Sequence, residues 1–398
     1  MAKGPDGRSS ITRSDKGWEG WVSLGTDAAT GKRLRRHVRA KTKAEVARKV
    51  AELEERRDAG QVARSHPSVR EWVEAWVTAQ RRKVRPSTLH GYRPDLARLV
   101  AALGDRRLES VRPADVEALY AGAADSGLGP GGLAHLHRTV SACFAAAERA
   151  GVIGRSPLRR VSTPTADPPE VVPLSLDEVR RVLDAARGTR NAARWSVALA
   201  LGLRQGEALG LRWDDVDLDA GTLTVRRQLQ WRLWSHGCAD TCGQSSPGRC
   251  PLRHGGGPEL VAPKSRAGRR TLVLPEPLVA ELRGHAAAQT AEREQLGSLW
   301  RGGDWGLVFA AADGWPLRPE YDRHAWSRLL AAAGVPSRRL HDARHTAATL
   351  LLVQGVAPAV AMTLLGHTDL GVTRRYQHVV DELRRDAAER MGAAVWGR

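Results

Sequence analysis

Apolar residues recur at two different periods along the chain, and the changes of period divide it. In "WEGWVSLG" and "GKRLRRHVRA" apolar and polar positions alternate as in half-buried strands, with a turn at Thr30-Gly31 between them. "TKAEVARKVAELEERR" then switches to helical spacing and opens on a Thr42/Glu45 pair suited to a capping box. These stretches predict a small ββ(β)α unit over residues 1–62. From 67 to 161 the helical period is unbroken: Val69, Trp72, Val73, Trp76 and Val77 form one stripe, and Leu89, Tyr92, Leu96, Leu99, Val100 and Leu103 form another after Pro86. "RPADVEALYAGAA" and "LAHLHRTVSACFAAAERAG" add two more helices, with Cys143 on the apolar stripe of the last. A helical domain is the expected result.

"STPTADPPEVVP" then interrupts all periodicity, and its prolines mark an extended linker over 162–173. Such a tether lets the flanking domains sit on opposite sides of a ligand as thick as a duplex. A Ser175/Glu178 capping box restarts helical structure, and 174–398 reads as one larger domain. Within it "GTLTVRR", "ELVAPK" and "RRTLVLP" read as strands, with "KSRAGRR" turning between the last two. Helical spacing returns from "PLVAELRGHAAA" through "HDARHTAATLLLVQG" and "AVAMTLLGH" to "VTRRYQHV". The predicted class is α+β and mainly α, with a small antiparallel sheet in the C-terminal domain.

Charge changes this picture from architecture to partner. The 398 residues carry 62 Lys+Arg against 44 Asp+Glu, a formal net charge of +18. A basic field of that size favours a polyanion, and nucleic acid comes before a membrane because no apolar run approaches the roughly 20 residues of a transmembrane span. The N-terminus lacks the apolar core of a signal peptide, so a cytoplasmic, nucleoid-associated protein is expected. The cations of the first unit have a plainer reading too, as an ordinary solvated basic surface.

The C-terminal domain scatters a set of reactive side chains: Arg204 and Glu207 in "GLRQGE", Lys264 in the strand turn, His341 and Arg344 in "HDARHT", His367 in "LLGH" and Tyr376 in "RRYQH". Together they suffice to cleave a phosphodiester covalently without a metal. Tyr376 supplies an oxygen nucleophile with a resting pKa of about 10, which needs help to lose its proton. Two guanidiniums, Arg204 and Arg344, suit the charge that grows on the non-bridging oxygens, and Lys264 suits a general acid for the leaving sugar oxygen. His341 and Arg344 lie three apart, on one helix face. No P-loop, "HExxH" helix or "GxSxG" elbow competes. "WDDVDLD" raises a two-metal nuclease, but its acids precede a predicted strand and read better as a turn.

These pieces, in this order, resemble the tyrosine recombinase or phage integrase family. The resemblance spans about 171–385, the helical domain is similar to the family's core-binding (SAM-like) domain, and residues 1–62 are similar to an arm-type DNA-binding domain. It implies Arg204 as the first catalytic arginine with Glu207 in support, Lys264 as the hairpin lysine, the pair His341 and Arg344, His367 at the late His/Trp position and Tyr376 as nucleophile. Ala343 departs from the family's usual Leu, away from any reacting group. The resemblance further implies double-stranded DNA as partner, with core and arm attachment sites, a homotetramer on DNA, an excisionase or DNA-bending accessory protein, and no cofactor for catalysis. A binding protein without the chemistry, a type IB topoisomerase-like enzyme and a chromosome-dimer resolvase are the rival readings. The basic N-terminal unit speaks against the last.

A second departure is the insert at 236–257, "HGCADTCGQSSPGRCPLRHGGG". Cys238 and Cys242 are spaced like a zinc ligand pair, as are Cys250 and His254. They suggest a structural zinc, with His236 as substitute ligand; a reduced loop with incidental cysteines is the alternative.

Overall fold

The computed structural model describes residues 9–15, 17–26, 33–58, 67–165, 172–239, 241–263, 266–366, 388–389 and 391–397. The chain divides into two compact units, residues 1–169 and 170–398. No described helix is long and apolar enough to cross a membrane.

The first unit opens with three antiparallel strands in the order β1 (Ser10–Ser14), β2 (Gly17–Thr26) and β3 (Arg33–Ala40), followed by α1 (Lys43–Asp58). Thr42 begins that helix as its spacing predicts, its hydroxyl accepting the Glu45 N–H at 3.3 Å. Val22, Val46 and Val50 close a small core between sheet and helix. β1 goes beyond the two strands legible from alternation, since "SITRS" has little apolar content. The Thr30-Gly31 turn lies outside the described residues.

The rest of this unit is helical: α2 (Val69–Gln80), α3 (Pro86–Leu103), α4 (Pro113–Asp125) and α5 (Pro130–Arg149). Each of α3, α4 and α5 begins on proline, whose missing N–H costs nothing at a first helical position. Their stripes meet around Leu99, Leu136, Val140, Cys143 and Phe144, each 0% exposed. Burial pushes the Cys143 thiol up to about 12, so it packs as an inert apolar group. The polar groups trapped beside this core are paired: Asp95 accepts from Thr139 at 2.8 Å, and Tyr120 meets His137 at 3.0 Å.

The second unit begins with α6 (Leu176–Ala186), α7 (Ala193–Ala200) and the short α8 (Gln205–Leu209). β4 (Val216–Asp217), β5 (Thr222–Val225), β6 (Gln228–Arg232), β7 (Gly257–Val261) and β8 (Arg270–Val273) follow, then α9 (Glu276–Leu296), α10 (Pro319–Ala332), α11 (Leu340–Val353) and α12 (Pro358–Leu365). Trp195, Trp326, Leu330 and Leu340 join α6, α7, α10 and α11 in one core, and Val197, Leu223, Leu272, Leu282 and Phe309 join α7 and α9 to the sheet in another.

The strands pair differently from the sequence expectation. "KSRAGRR" does not turn between two mutually paired strands, because β7 pairs with β6 and β8 pairs with β5. β5 and β6 follow each other with only Arg226 and Arg227 between, so the returning chain retraces both. The chain that joins β7 back to β8 therefore lies opposite those two arginines in sequence, and its described part includes a 3-10 turn at Arg266–Gly268.

Substituting Phe144→Ala should cost about 3–5 kcal/mol of stability in the helical part of the first unit, since a fully buried ring leaves a cavity. Urea unfolding followed by circular dichroism measures it; a cost under about 1 kcal/mol would contradict the packing described.

Candidate active site

A helix leaves its last carbonyls without intrahelical donors, and its aligned peptide dipoles make that end partially negative. At the end of α12 three successive carbonyls each accept from a different arginine. Arg270 Nε donates to the Leu364 oxygen at 2.6 Å, Arg344 Nη2 to that of Leu365, and Arg204 Nη2 to that of Gly366 at 3.0 Å. Gly366 closes the helix with φ +65°, and a Cβ there would lie 2.7 Å from the Ala267 oxygen and 3.0 Å from Arg270 Nη1. Glycine meets both the left-handed backbone and the close approach.

Arg204 stands at the N-cap of α8. Glu207, three residues on, accepts the Arg204 N–H at 3.1 Å and its Nη1 at 2.7 Å, and also takes Arg270 Nη2 at 3.0 Å. The Glu207 residue is 2% exposed. Burial pushes its carboxyl pKa up, but the Arg270 charge and hydrogen bond, with those of Arg204, outweigh burial and hold it below the usual carboxylate range. The beginning of α8 is fixed in turn by Gln205, which donates to Asp322 at 2.9 Å and to the Pro319 oxygen at 2.8 Å; Asp322 also carries a buried ion pair with Arg194 at 3.0 Å. Arg204 is half-exposed, and each terminal nitrogen directs one hydrogen inward, so the second hydrogens remain for an anion.

Arg344 is buried in the second turn of α11, with Nη1 on the Gly202 oxygen at 2.7 Å. His341, one turn earlier, is exposed, so the shared helix face separates into a deep arginine and a shallow histidine. Asp342 holds the helix start by accepting the Arg339 N–H at 3.0 Å. His345 is buried, and its ring meets His341 edge-on with centroids 5.1 Å apart, which makes it a support for His341. Partial burial lowers the His341 pKa, and the charges of Arg344 and Arg204 lower it further against the pull of Asp342. The direction of the shift favours the neutral imidazole, the form able to accept a proton.

Lys264, His367 and Tyr376 lie outside the described residues. A concavity beside β5 and β8 is lined by Arg212, Arg226, Arg227, Arg269 and Arg270 with Thr224 and Thr271. Its arginines suit phosphate groups.

Arg270, which the sequence reading notes only as one of the arginines sharing the turn with Lys264, joins this cluster through Glu207 and Leu364. A signal existed: in "RRTLVLP" the alternation puts Arg270 in phase with Leu272, which is 3% exposed, while Val273 is 76% exposed. An arginine in phase with core residues is one that needs a buried partner. The acids of "WDDVDLD" are engaged elsewhere: Asp214 pairs with Arg212 at 3.0 Å, Asp215 with Arg227 at 3.3 Å, and Asp219 with Arg283 at 3.0 Å. Among the described residues the one group with metal-ligand geometry is His236, Cys238, Cys242 and Cys250. The histidine in this group is His236, the substitute ligand of the sequence reading, and not His254. Ser235 and His254 are directly bridged, so their side chains share one face of the ribbon and the next residue, His236, turns to the other.

A family model described as "Phage integrase family" matches residues 275–382. An integrase of Saccharopolyspora erythraea is 37% identical over 99% of this chain and 98% of its own length. A putative prophage phiRv2 integrase of Mycobacterium tuberculosis (strain CDC 1551 / Oshkosh) is 27% identical over 83% of this chain and 79% of its own. Among solved structures, the Tn1549 transposon integrase in complex with transposon right end DNA superposes with a TM-score of 0.63 at 20% identity, over 82% of this chain and all of that one. A lambda integrase tetramer bound to a Holliday junction gives 0.52 at 16% identity, over 92% of this chain and 97% of that one. The fold is that of these integrases, and the chain belongs to the phage integrase family of tyrosine recombinases, site-specific enzymes that cleave and rejoin DNA.

Glu207→Gln should destabilise the second unit by about 3–5 kcal/mol near neutral pH, because it leaves two buried guanidinium contacts without their charge. A carboxyl whose folded pKa is depressed contributes stability above its unfolded pKa, about 4.3, and loses it as pH falls through the folded value. The gap between wild type and variant should therefore shrink as pH drops below about 4.3, read by chemical unfolding at several pH values. A gap independent of pH would contradict the ion-pair account.

Proposed function

We propose that this protein integrates and excises a mobile element, such as a prophage or an integrative plasmid, by cutting and rejoining double-stranded DNA through a 3′-phosphotyrosyl link to Tyr376. The observation that carries the reading is the gathering of Arg204, Arg270 and Arg344 on the last turn of α12, from which the chain runs on to His367 and Tyr376.

Tyr376 attacks the scissile phosphorus while the bond to the 5′ oxygen breaks. The tyrosine proton passes to a neutral acceptor, for which His341 is suited, and the leaving 5′ oxygen takes a proton from Lys264. Arg204 and Arg344, with His367, meet the charge on the non-bridging oxygens. The tyrosyl ester keeps a phosphodiester bond for the one that was broken, so attack by a partner strand's 5′-hydroxyl reverses the step without ATP or a catalytic metal. Two successive exchanges pass through a Holliday junction, with four protomers on two duplexes. Residues 67–161 and the second unit grip the core site, residues 1–62 bind arm sites, and an excisionase or a DNA-bending protein sets direction. The reaction takes place in the cytoplasm, at the nucleoid. The one metal in this reading is structural, in the insert.

Supercoiled DNA carrying the element's junction sequence, incubated with protein in EDTA and quenched in detergent, should yield a protease-sensitive protein–DNA adduct with the wild type and none with Tyr376→Phe. Arg204→Ala should lower the rate of adduct formation by about 10²-fold or more. Tight binding of a confirmed site with no adduct from the wild type would leave a DNA-binding protein in place of the enzyme. Adduct formation without exchange into a second site would favour the topoisomerase reading.

A further inference from the structure

The segment joining β6 to β7 has little apolar surface to bury beyond the Trp234 ring, which packs against Gly256 and Gly257. It is rich in glycine and proline, and its aliphatic residues Leu233 and Leu252 are 60% and 64% exposed. It is ordered nonetheless. The bridge between Ser235 and His254 continues the β6–β7 register past Arg232 and Gly257, and the Arg253 guanidinium lies over the Trp234 ring at 4.9 Å. Beyond that bridge Cys250 is only 1% exposed.

We propose that His236 Nδ1 and the sulfurs of Cys238, Cys242 and Cys250 bind one zinc ion tetrahedrally and that this ion locks the tip of the ribbon. The inference rests on the structural-metal reading above, to which it gives a ligand set and a role, and it holds apart from the strand-exchange chemistry.

Geometry supports the ion. Zinc–sulfur bonds of about 2.3 Å and zinc–nitrogen bonds of about 2.0–2.1 Å, at tetrahedral angles, put sulfurs about 3.8 Å apart and sulfur and nitrogen about 3.6 Å apart. Here Cys238 and Cys250 Sγ are 3.5 Å apart, and His236 Nδ1 is 3.7 Å from Cys238 Sγ and 3.5 Å from Cys242 Sγ. All four ligand atoms lie within 4.8 Å of one another. The cysteines are free, and a disulfide would engage two of the three while leaving the third thiol and the imidazole crowded without purpose. Zinc uses all four and closes its shell, as structural sites do. Its binding energy replaces the missing core, since ordering the backbone costs roughly 1–2 kcal/mol per residue. The ion pins one end of the β6–β7 pair, whose other end, Gln228 opposite Val261, is separated along the chain only by Arg226 and Arg227 from Val225, the partner of Arg270.

Metal analysis of the full-length protein after dialysis against metal-free buffer tests the site. The wild type should retain about one zinc per chain, Cys242→Ser and His236→Ala should lose it, and His254→Ala should keep it. Cobalt(II) exchanged into the wild type should give visible ligand-field bands and thiolate charge-transfer absorption, neither of which depends on DNA or activity. Wild-type protein stripped by a chelator, with α11 still protected from hydrogen exchange, should gain exchange selectively within 233–256. The proposal is overturned by a wild type that holds no zinc, by a non-reduced mass that reveals a disulfide, by loss of metal in His254→Ala with retention in His236→Ala, or by unchanged exchange on stripping.

Discussion

The C-terminal end of α12 is the point on which the second unit turns. Its last three carbonyls need donors and carry the negative end of a helix dipole, and three guanidiniums supply both the hydrogen bonds and the opposite charge. Three cations so close repel one another, and Glu207 relieves the conflict by sitting between Arg204 and Arg270 with almost no exposure to water. The arginines therefore reach the site already oriented, which is what transition-state stabilisation requires: donors that need no rearrangement when charge develops.

Close backbone approach makes the arrangement feasible. Gly202 turns with φ +59°, and a Cβ on it would come within 2.6 Å of a Leu365 methyl and 3.1 Å of Ala347 Cβ. That contact brings the loop before α8 onto both α11 and α12, so Arg344 can hold the Gly202 and Leu365 oxygens at once. Small residues do similar work along α11, where Ala343, Ala347 and Ala348 are buried. The alanine at 343, where a leucine is usual in the family, fits a helix packed on its neighbours through short side chains.

Helices with wide apolar stripes were legible in the sequence, because burial of one face imposes a period that survives any partner. α2, α3, α5, α6 and α11 all fall where spacing puts them. α7 was not legible, and the reason is physical: Ala193 through Leu199 are buried on every side, so no polar face remains to mark a period. α10 hides for the opposite reason, its apolar residues being diluted by "PEYDRH". Arg204, Glu207, His341 and Arg344 could be found because local motifs carry them, whereas the partnership of Glu207 with Arg270 joins residues 63 positions apart. The strand pairing was misread on similar grounds, since alternation identifies strands and leaves their partners open.

The ribbon gains from the pairing it adopts. A direct hairpin turn at "KSRAGRR" would spend its only tip on the active-site loop. By retracing β5 and β6 with β8 and β7, the chain places the connection between β7 and β8 away from the β6–β7 tip and leaves that tip to the insert. Arg270, the first residue of β8, is buried against Glu207 and the end of α12, so the start of that strand is tied to the arginine cluster. The far end cannot be secured in this way, since the described residues of the insert offer little apolar surface to bury. A compact set of thiols and one imidazole on a Gly/Pro-rich loop is what a chain can still use there, because four ligand atoms of suitable geometry order a loop that side-chain packing cannot.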